Sequence, residues 1–154
     1  MKAHLHKIAL WLARLYWYVF KPKTSGVKVI VQNPNTKEIL VIRHSYGNQS
    51  IWSLPGGSYH PNRESPASAA KREIREELGL KLTELSILGE YKTSAEGKRD
   101  SVTIFLSKPN STKITIGSEI AEYKWIAPQT FVNMKHIYKI SKYAMQLLKQ
   151  KEAE

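Results

Sequence analysis

The sequence predicts a layered α/β domain, and three observations lead there. Segments with apolar residues at every second position interleave with segments at three/four spacing, the pattern of strands mixed with helices. The chain has 154 residues, the length of one domain, and 42% hydrophobic residues supply its core. No cysteine is present, which excludes disulfides, thiolate metal sites and cysteine nucleophiles and agrees with a cytoplasmic setting. No uncharged apolar run approaches the ~18 residues of a transmembrane helix.

Residues 1–23 read as an extension to a domain over residues 24–154. Leu5, Ile8, Leu12, Leu15 and Val19 recur at helical spacing, and Lys7, Arg14 and Lys21 form a stripe on the other side. Pro22 ends this amphipathic helix. Arg14 interrupts its apolar centre and no small-x-small site follows, which argues against a signal peptide. Three roles fit the pattern. The helix packs on its own domain, it packs on a second copy in a homodimer, or it lies on an anionic membrane surface as a peripheral anchor. With five basic residues and no acid, it also suits RNA.

From Gly26 the period becomes two. Val27, Val29 and Val31 alternate with Lys28, Ile30 and Gln32, a turn follows at Asn33-Pro34-Asn35, and Ile39–Ile42 is a second strand, so 26–43 predicts a hairpin. Ile51–Leu54 is a short extended stretch before Pro55-Gly56-Gly57. Ser65–Leu78 predicts a helix, and Gly79 suits the left-handed residue that closes it. Leu82–Lys92 and Ser101–Leu106 predict strands around a turn at 94–99, and Ile120–Ile126 a further strand. Pro128 suits a helix start. Phe131, Met134, Ile137, Ala144, Met145 and Leu148 give one final helix its apolar face.

The charge balance is 24 Lys+Arg against 13 Asp+Glu, a net +11 that favours polyanions. Against this background four of the acids fall between Glu64 and Glu77. Glu73, Glu76 and Glu77 stand at i, i+3 and i+4 and so share a helix face. Converging carboxylates need cations, and an oxygen-only ligand set suits Mg²⁺ or Mn²⁺. A solvated face with ion pairs such as Arg72 with Glu76 fits the same helix equally well.

The flanks decide between the two. Gly57…Glu64-x7-Arg72-Glu73-Ile74-x-Glu76-Glu77-x-Gly79-Leu80 resembles the Nudix box, G-x5-E-x7-R-E-U-x-E-E-x-G-U with U aliphatic. Every position from Glu64 to Leu80 matches. Gly57 and Glu64 are separated by six residues instead of five, so the loop before the helix carries one extra residue. Leu54-Pro55-Gly56-Gly57 is similar to the family's usual lead-in, and Glu119–Trp125 to its later strand.

The resemblance implies an α/β/α sandwich around a mixed sheet, and hydrolysis of a pyrophosphate bond in a nucleoside diphosphate linked to another moiety. It implies Mg²⁺ or Mn²⁺ on Glu73, Glu76, Glu77 and the Gly57 carbonyl. Arg72 would orient the carboxylates and Glu64 would brace Arg72. On this resemblance Glu76 and Glu77 would carry both metal-binding and catalytic roles. The base that accepts the water proton is a box glutamate or an outside acid, for which Glu119 and Glu122 lead and Glu96 and Asp100 follow. Arg43 could meet a phosphate, and Tyr46 and Trp52 could stack on a base; their plainer readings are surface and packing residues. The family's coenzyme A and NADH signatures are absent, and Lys81–Leu106 contains no proline of the ADP-ribose type. Nucleoside triphosphates, nucleotide sugars and capped RNA remain as substrates. A Nudix fold used only for binding or sensing a nucleotide or RNA is the alternative, although such a protein has no need of a complete set of box acids.

Overall fold

In β1 (Lys23–Val31) the period of two sorts side chains onto opposite faces. Val27, Val29 and Val31 join one buried cluster with Leu40, Ile42, Ile74, Leu78 and Phe105. Ile30 joins another with Ile39, Val41, Leu54, Phe131, Ala144 and Leu148. The sheet is therefore covered on both sides, as parallel pairing usually requires. The computed structural model describes residues 23–94 and 99–154. The expected helix at 1–23 and Glu96 lie outside the described residues, apart from Lys23.

After β1 come β2 (Ile39–His44), β3 (Ser58–Tyr59), α1 (Pro66–Leu78), β4 (Ser86–Thr93) and β5 (Arg99–Ser107). The chain then forms β6 (Ile120–Ile126), α2 (Pro128–Val132) and α3 (Lys139–Glu152). One sheet runs β3-β1-β5-β4, and a separate pair joins β2 to β6. β1 and β5 are parallel and the other pairs antiparallel, so the sheet is mixed. Among the described residues no helix is long and apolar enough to cross a membrane.

The expected hairpin at 26–43 does not form a ladder. The chain does turn, with Asn33 N–H donating to Glu38 O at 2.8 Å, and one bridge joins Gln32 to Ile39. Beyond that bridge both edges of β1 are taken. β5 runs along one edge from Lys23 to Val31. On the other edge Val29 N–H donates to Pro55 O at 3.0 Å and Val27 N–H to Gly57 O at 2.8 Å, ahead of the pairing with β3. β2 therefore pairs with β6, from Ile39↔Ile126 to His44↔Ile120. Trp52 and Ser53 give the expected short extended stretch, bridged to Ile137 and Ile42.

Two further expectations are corrected. The strand expected from Leu82 starts at Ser86, because Leu80 and Leu82 are buried in the cluster beneath α1 before the chain reaches the sheet edge. The single final helix is two. Trp52 N–H donates to His136 O at 3.2 Å and Ile137 bridges Trp52, which holds the backbone between α2 and α3 extended.

α1 follows its sequence closely. Ser65 accepts the Ser68 N–H at 3.2 Å as N-cap, Pro66 occupies the first turn, and Gly79 at φ 66° closes the helix on Arg75 O. Ala69, Ala70, Ile74 and Leu78 are its buried face. Burial of Ile74 or Leu78 stabilises by about 1.5–3 kcal/mol each. This fixes the rotation of α1, and with it where the acids point.

Candidate active site

The three box acids of α1 meet different surroundings. Glu77 is 5% exposed, and its Oε2 accepts the Gly56 N–H at 2.8 Å. Glu73 lies against Gly57 so closely that a Cβ there would stand 2.5 Å from its carboxylate. Glu76 is the outermost, its side chain 56% exposed.

Arg72 ties the group together. Its guanidinium donates to Glu64 at 2.7 and 3.2 Å, a two-pronged pairing. It also meets Glu73 at 2.7 Å and Glu76 at 3.4 Å. Hydrogen bonds to Glu64 and then Glu73 hold the Arg72 pKa well above its ordinary value, and the Arg72 bond holds Glu64 below the usual carboxylate range. The extra residue between Gly57 and Glu64 does not displace this contact. His60 O accepts the Arg63 and Glu64 N–H groups at 2.9 and 3.2 Å, a tight turn that returns Glu64 to Arg72. The i,i+4 ion pair and the acids on a shared helix face are thus features of one arrangement.

Burial pushes the Glu77 carboxyl up to about 7. Glu73 and Glu119 push the same way, while Lys28 and the Gly56 N–H oppose them. Lys28 is itself held below its ordinary pKa by burial, against the pull of Glu77 and Glu73.

The end of α1 supplies the opposite wall. Helix C-termini leave carbonyls without helical partners. Here Leu78 O accepts the Thr115 N–H and Glu77 O the Gly117 N–H, both at 2.9 Å. A Cβ at Gly117 would stand 2.3 Å from Glu76 O, so only glycine permits this approach. The fastening carries Ser118 and Glu119 over the acids. The resulting cleft, about 190 Å³, is lined by Glu73, Glu76, Glu77, Gly117, Ser118 and Glu119.

These donors are hard oxygens and suit Mg²⁺ or Mn²⁺ in kind. Among the described residues no three acidic or histidine side chains already converge at ion-binding geometry. Glu73 and Glu76 lean on Arg72 instead. The Gly57 carbonyl accepts the Val27 N–H at 2.8 Å, which leaves it a second lone pair.

Of the outside acids among the described residues the fold brings one to the cleft, Glu119. Glu122 is paired with Arg43 at 2.7 Å on the β2–β6 ladder. Asp100 accepts from the Thr24 hydroxyl in a separate hollow at the β1–β5 end. Arg43 lies 5.7 Å from the centre of the Trp52 ring, and Lys124 Nζ covers that ring at 4.0 Å. This group shares its side of β2 with Val41, whereas α1 packs beside Leu40 and Ile42. Arg43 and Trp52 therefore lie across the sheet from the acid helix. Tyr46 is exposed, with its ring 5.0 Å from His44. The neighbouring Ser45 N–H donates to Glu119 O at 2.9 Å, which places Tyr46 near the rim of the acidic cleft. Sequence reasoning missed Lys28, Gly117 and Lys124. Lys28 alone had a signal, as a charge inside an apolar strand.

Known proteins share this fold. The NUDIX domain family matches residues 22–148. The chain belongs to the Nudix family. Nudix hydrolase 7 of Arabidopsis thaliana is 30% identical over 115 residues, 70% of this chain and 40% of that protein. Nucleoside triphosphatase NudI of Escherichia coli O1:K1 / APEC is 33% identical over 93 residues, 53% of this chain and 65% of that protein. The chain thus spans less than two thirds of either relative. The crystal structure of a MutT protein from Methanosarcina mazei Go1 superposes with a TM-score of 0.74 at 23% identity, covering 86% of this chain and 97% of that one. The shared Nudix fold is an α/β fold around a mixed sheet.

Proposed function

We propose that this Nudix protein is a divalent-metal-dependent pyrophosphohydrolase of nucleotides or nucleotide derivatives, built as an α/β/α sandwich. The observation that carries the reading is the cleft in which Glu119 faces Glu73, Glu76 and Glu77. Glu73, Glu76 and Glu77, with the second lone pair of the Gly57 carbonyl, would hold Mg²⁺ or Mn²⁺. A bound ion supplies charge neutralisation of the pyrophosphate and a lower pKa for its water.

This chain's own residues do the rest. Arg72, braced by Glu64, keeps Glu73 and Glu76 oriented. Glu119 accepts the proton of the attacking water as its oxygen bonds to phosphorus. The bridging oxygen leaves with the bond electrons as a phosphate. Tyr46, at the rim, would stack on a base. Arg43 and Trp52 take part in substrate binding only where a substrate reaches across the sheet. Nucleoside triphosphates lead among the substrates, in keeping with the name of the Escherichia coli relative. A nucleotide panel with Mg²⁺ or Mn²⁺, read by product mass, tests the reading, and no cleavage across the panel would overturn it. The basic composition of residues 1–23 is proposed to favour anionic membranes or RNA, tested by liposome flotation and by salt-dependent RNA binding.

Glu119 and Glu122 give an internal comparison. Glu119→Gln is expected to lower kcat by about 10²–10⁴-fold, the range of general-base catalysis. Glu122→Gln, which removes a surface ion pair, should leave kcat within about 3-fold. Equal effects of the two changes would remove Glu119 from the role of base.

A further inference from the structure

Lys28 is the one charged residue in the run Val27–Val31, and its side chain turns to the Leu54–Gly57 segment. That segment lies along the edge of β1 opposite β5, bent at Pro55 and with Gly56 at φ +132°. Two of its carbonyls, on Pro55 and Gly57, accept backbone N–H groups of β1. The other two, on Leu54 and Gly56, accept Lys28 Nζ at 2.8 and 3.4 Å. In a regular sheet a further strand would serve such carbonyls. Among the described residues β2 reaches this stretch at Ser53, through the bridge with Ile42, and does not continue along Leu54–Gly57. Buried carbonyls without partners are costly, and a charged donor meets them strongly.

The same segment touches both inner acids. Gly56 N–H holds Glu77 Oε2 at 2.8 Å, and Gly57 lies against the Glu73 carboxylate. The link from Lys28 to the acids therefore runs through one short stretch of backbone.

We infer that Lys28 is a positioning residue of the active site: its ammonium ties the Leu54 and Gly56 carbonyls together, fixes the bent Leu54–Gly57 segment against β1, and so holds the Gly56 N–H on Glu77 and Gly57 against Glu73. This rests on the pyrophosphohydrolase reading only for its kinetic consequence. A misplacement of the loop harms the reacting geometry more than substrate capture, so the loss falls on kcat.

The test compares wild type, Lys28→Met, Lys28→Gln and Lys28→Arg. Hydrogen exchange by mass spectrometry, on the metal-free proteins, reads the segment directly and needs no turnover. Lys28→Met is expected to raise exchange over residues 54–57 by about 10-fold or more while β2 and β6 keep theirs. With Mg²⁺ and whichever nucleotide wild type cleaves best, its kcat should fall by about 30-fold with KM within about 3-fold. Lys28→Arg should restore most of both, and Lys28→Gln, which keeps a neutral donor, should fall between. If Lys28→Met does not fold, Lys28→Gln against Lys28→Arg carries the same comparison. Wild-type exchange at 54–57 in a folded Lys28→Met or Lys28→Gln protein would overturn the inference, as would a loss confined to KM. A wild type without turnover removes the hydrolase reading and leaves the exchange result to decide the role of Lys28.

Discussion

Glu77→Gln is expected to lower turnover by about 10³-fold or more while making the metal-free protein more stable at pH 8. Both effects come from one buried carboxylate. Its function needs the charged form. Burial raises its pKa from 4.5 to about 7, so folding at pH 8 must force a charge into a poorly solvated place. The sign follows from proton counts. Between 4.5 and about 7 the folded state binds more protons than the unfolded one, so stability falls as pH rises through that window and stays low above it. The shift corresponds to a penalty on the order of 3 kcal/mol at pH 8 and little at pH 4.5. The substituted amide keeps the volume and the acceptor for the Gly56 N–H, and loses the charge. Lys28 loses an opposite charge in return, so that figure is an upper bound. Thermal unfolding in a chelator should show Glu77→Gln above wild type at pH 8, with the gap closing towards pH 5. An unchanged turnover would sink the site assignment, and an equal gap at both pH values would sink the buried-charge account.

Gly56→Ala should be the most damaging single methyl group in the loop, costing about 3 kcal/mol or more in urea unfolding. Gly56 has φ +132°, a region closed to L side chains, and a Cβ would stand 2.2 Å from Val27 O. The obstacle is strand backbone, which cannot move without breaking the ladder to β5. Two neighbours calibrate the effect. Gly57→Ala meets the end of the Glu73 side chain at 2.5 Å, which can swing away, so activity should suffer more than stability. Gly47→Ala, at φ +69° with nothing within 4 Å, should cost only the ~1–2 kcal/mol of a left-handed conformation. A Gly56→Ala midpoint no lower than that of Gly47→Ala would show that the loop is not pressed against β1.

What could be read from the sequence was what local chemistry decides. Ser65-Pro66 and Gly79 bound α1 because capping and positive φ depend on a few adjacent residues. The spacing of Glu73, Glu76 and Glu77 fixed their common face for the same reason. What could not be read depended on distant occupancy. The hairpin at 26–43 failed because a loop without strand character, Pro55–Gly57, holds the edge that β2 would need. The final helix broke because Trp52, far away in sequence, pairs with Ile137. Glu119 and Glu122 look alike in sequence. One precedes β6 and follows the glycine fastened to α1, while the other lies within β6 opposite Arg43. Lys28 gave a signal of expense but not of purpose, because its partners are carbonyls.

The fastening of Thr115 and Gly117 to the last carbonyls of α1 has a bearing on how this protein can change. Glu119 takes its position from the helix and not from the length of chain that leads to it. The stretch from Lys108 to Lys113 is thereby released from any duty of measurement. Insertions or deletions there could reshape the approach to the cleft while the four acids keep their mutual spacing, so new substrate preferences could be grafted on without rebuilding the chemistry.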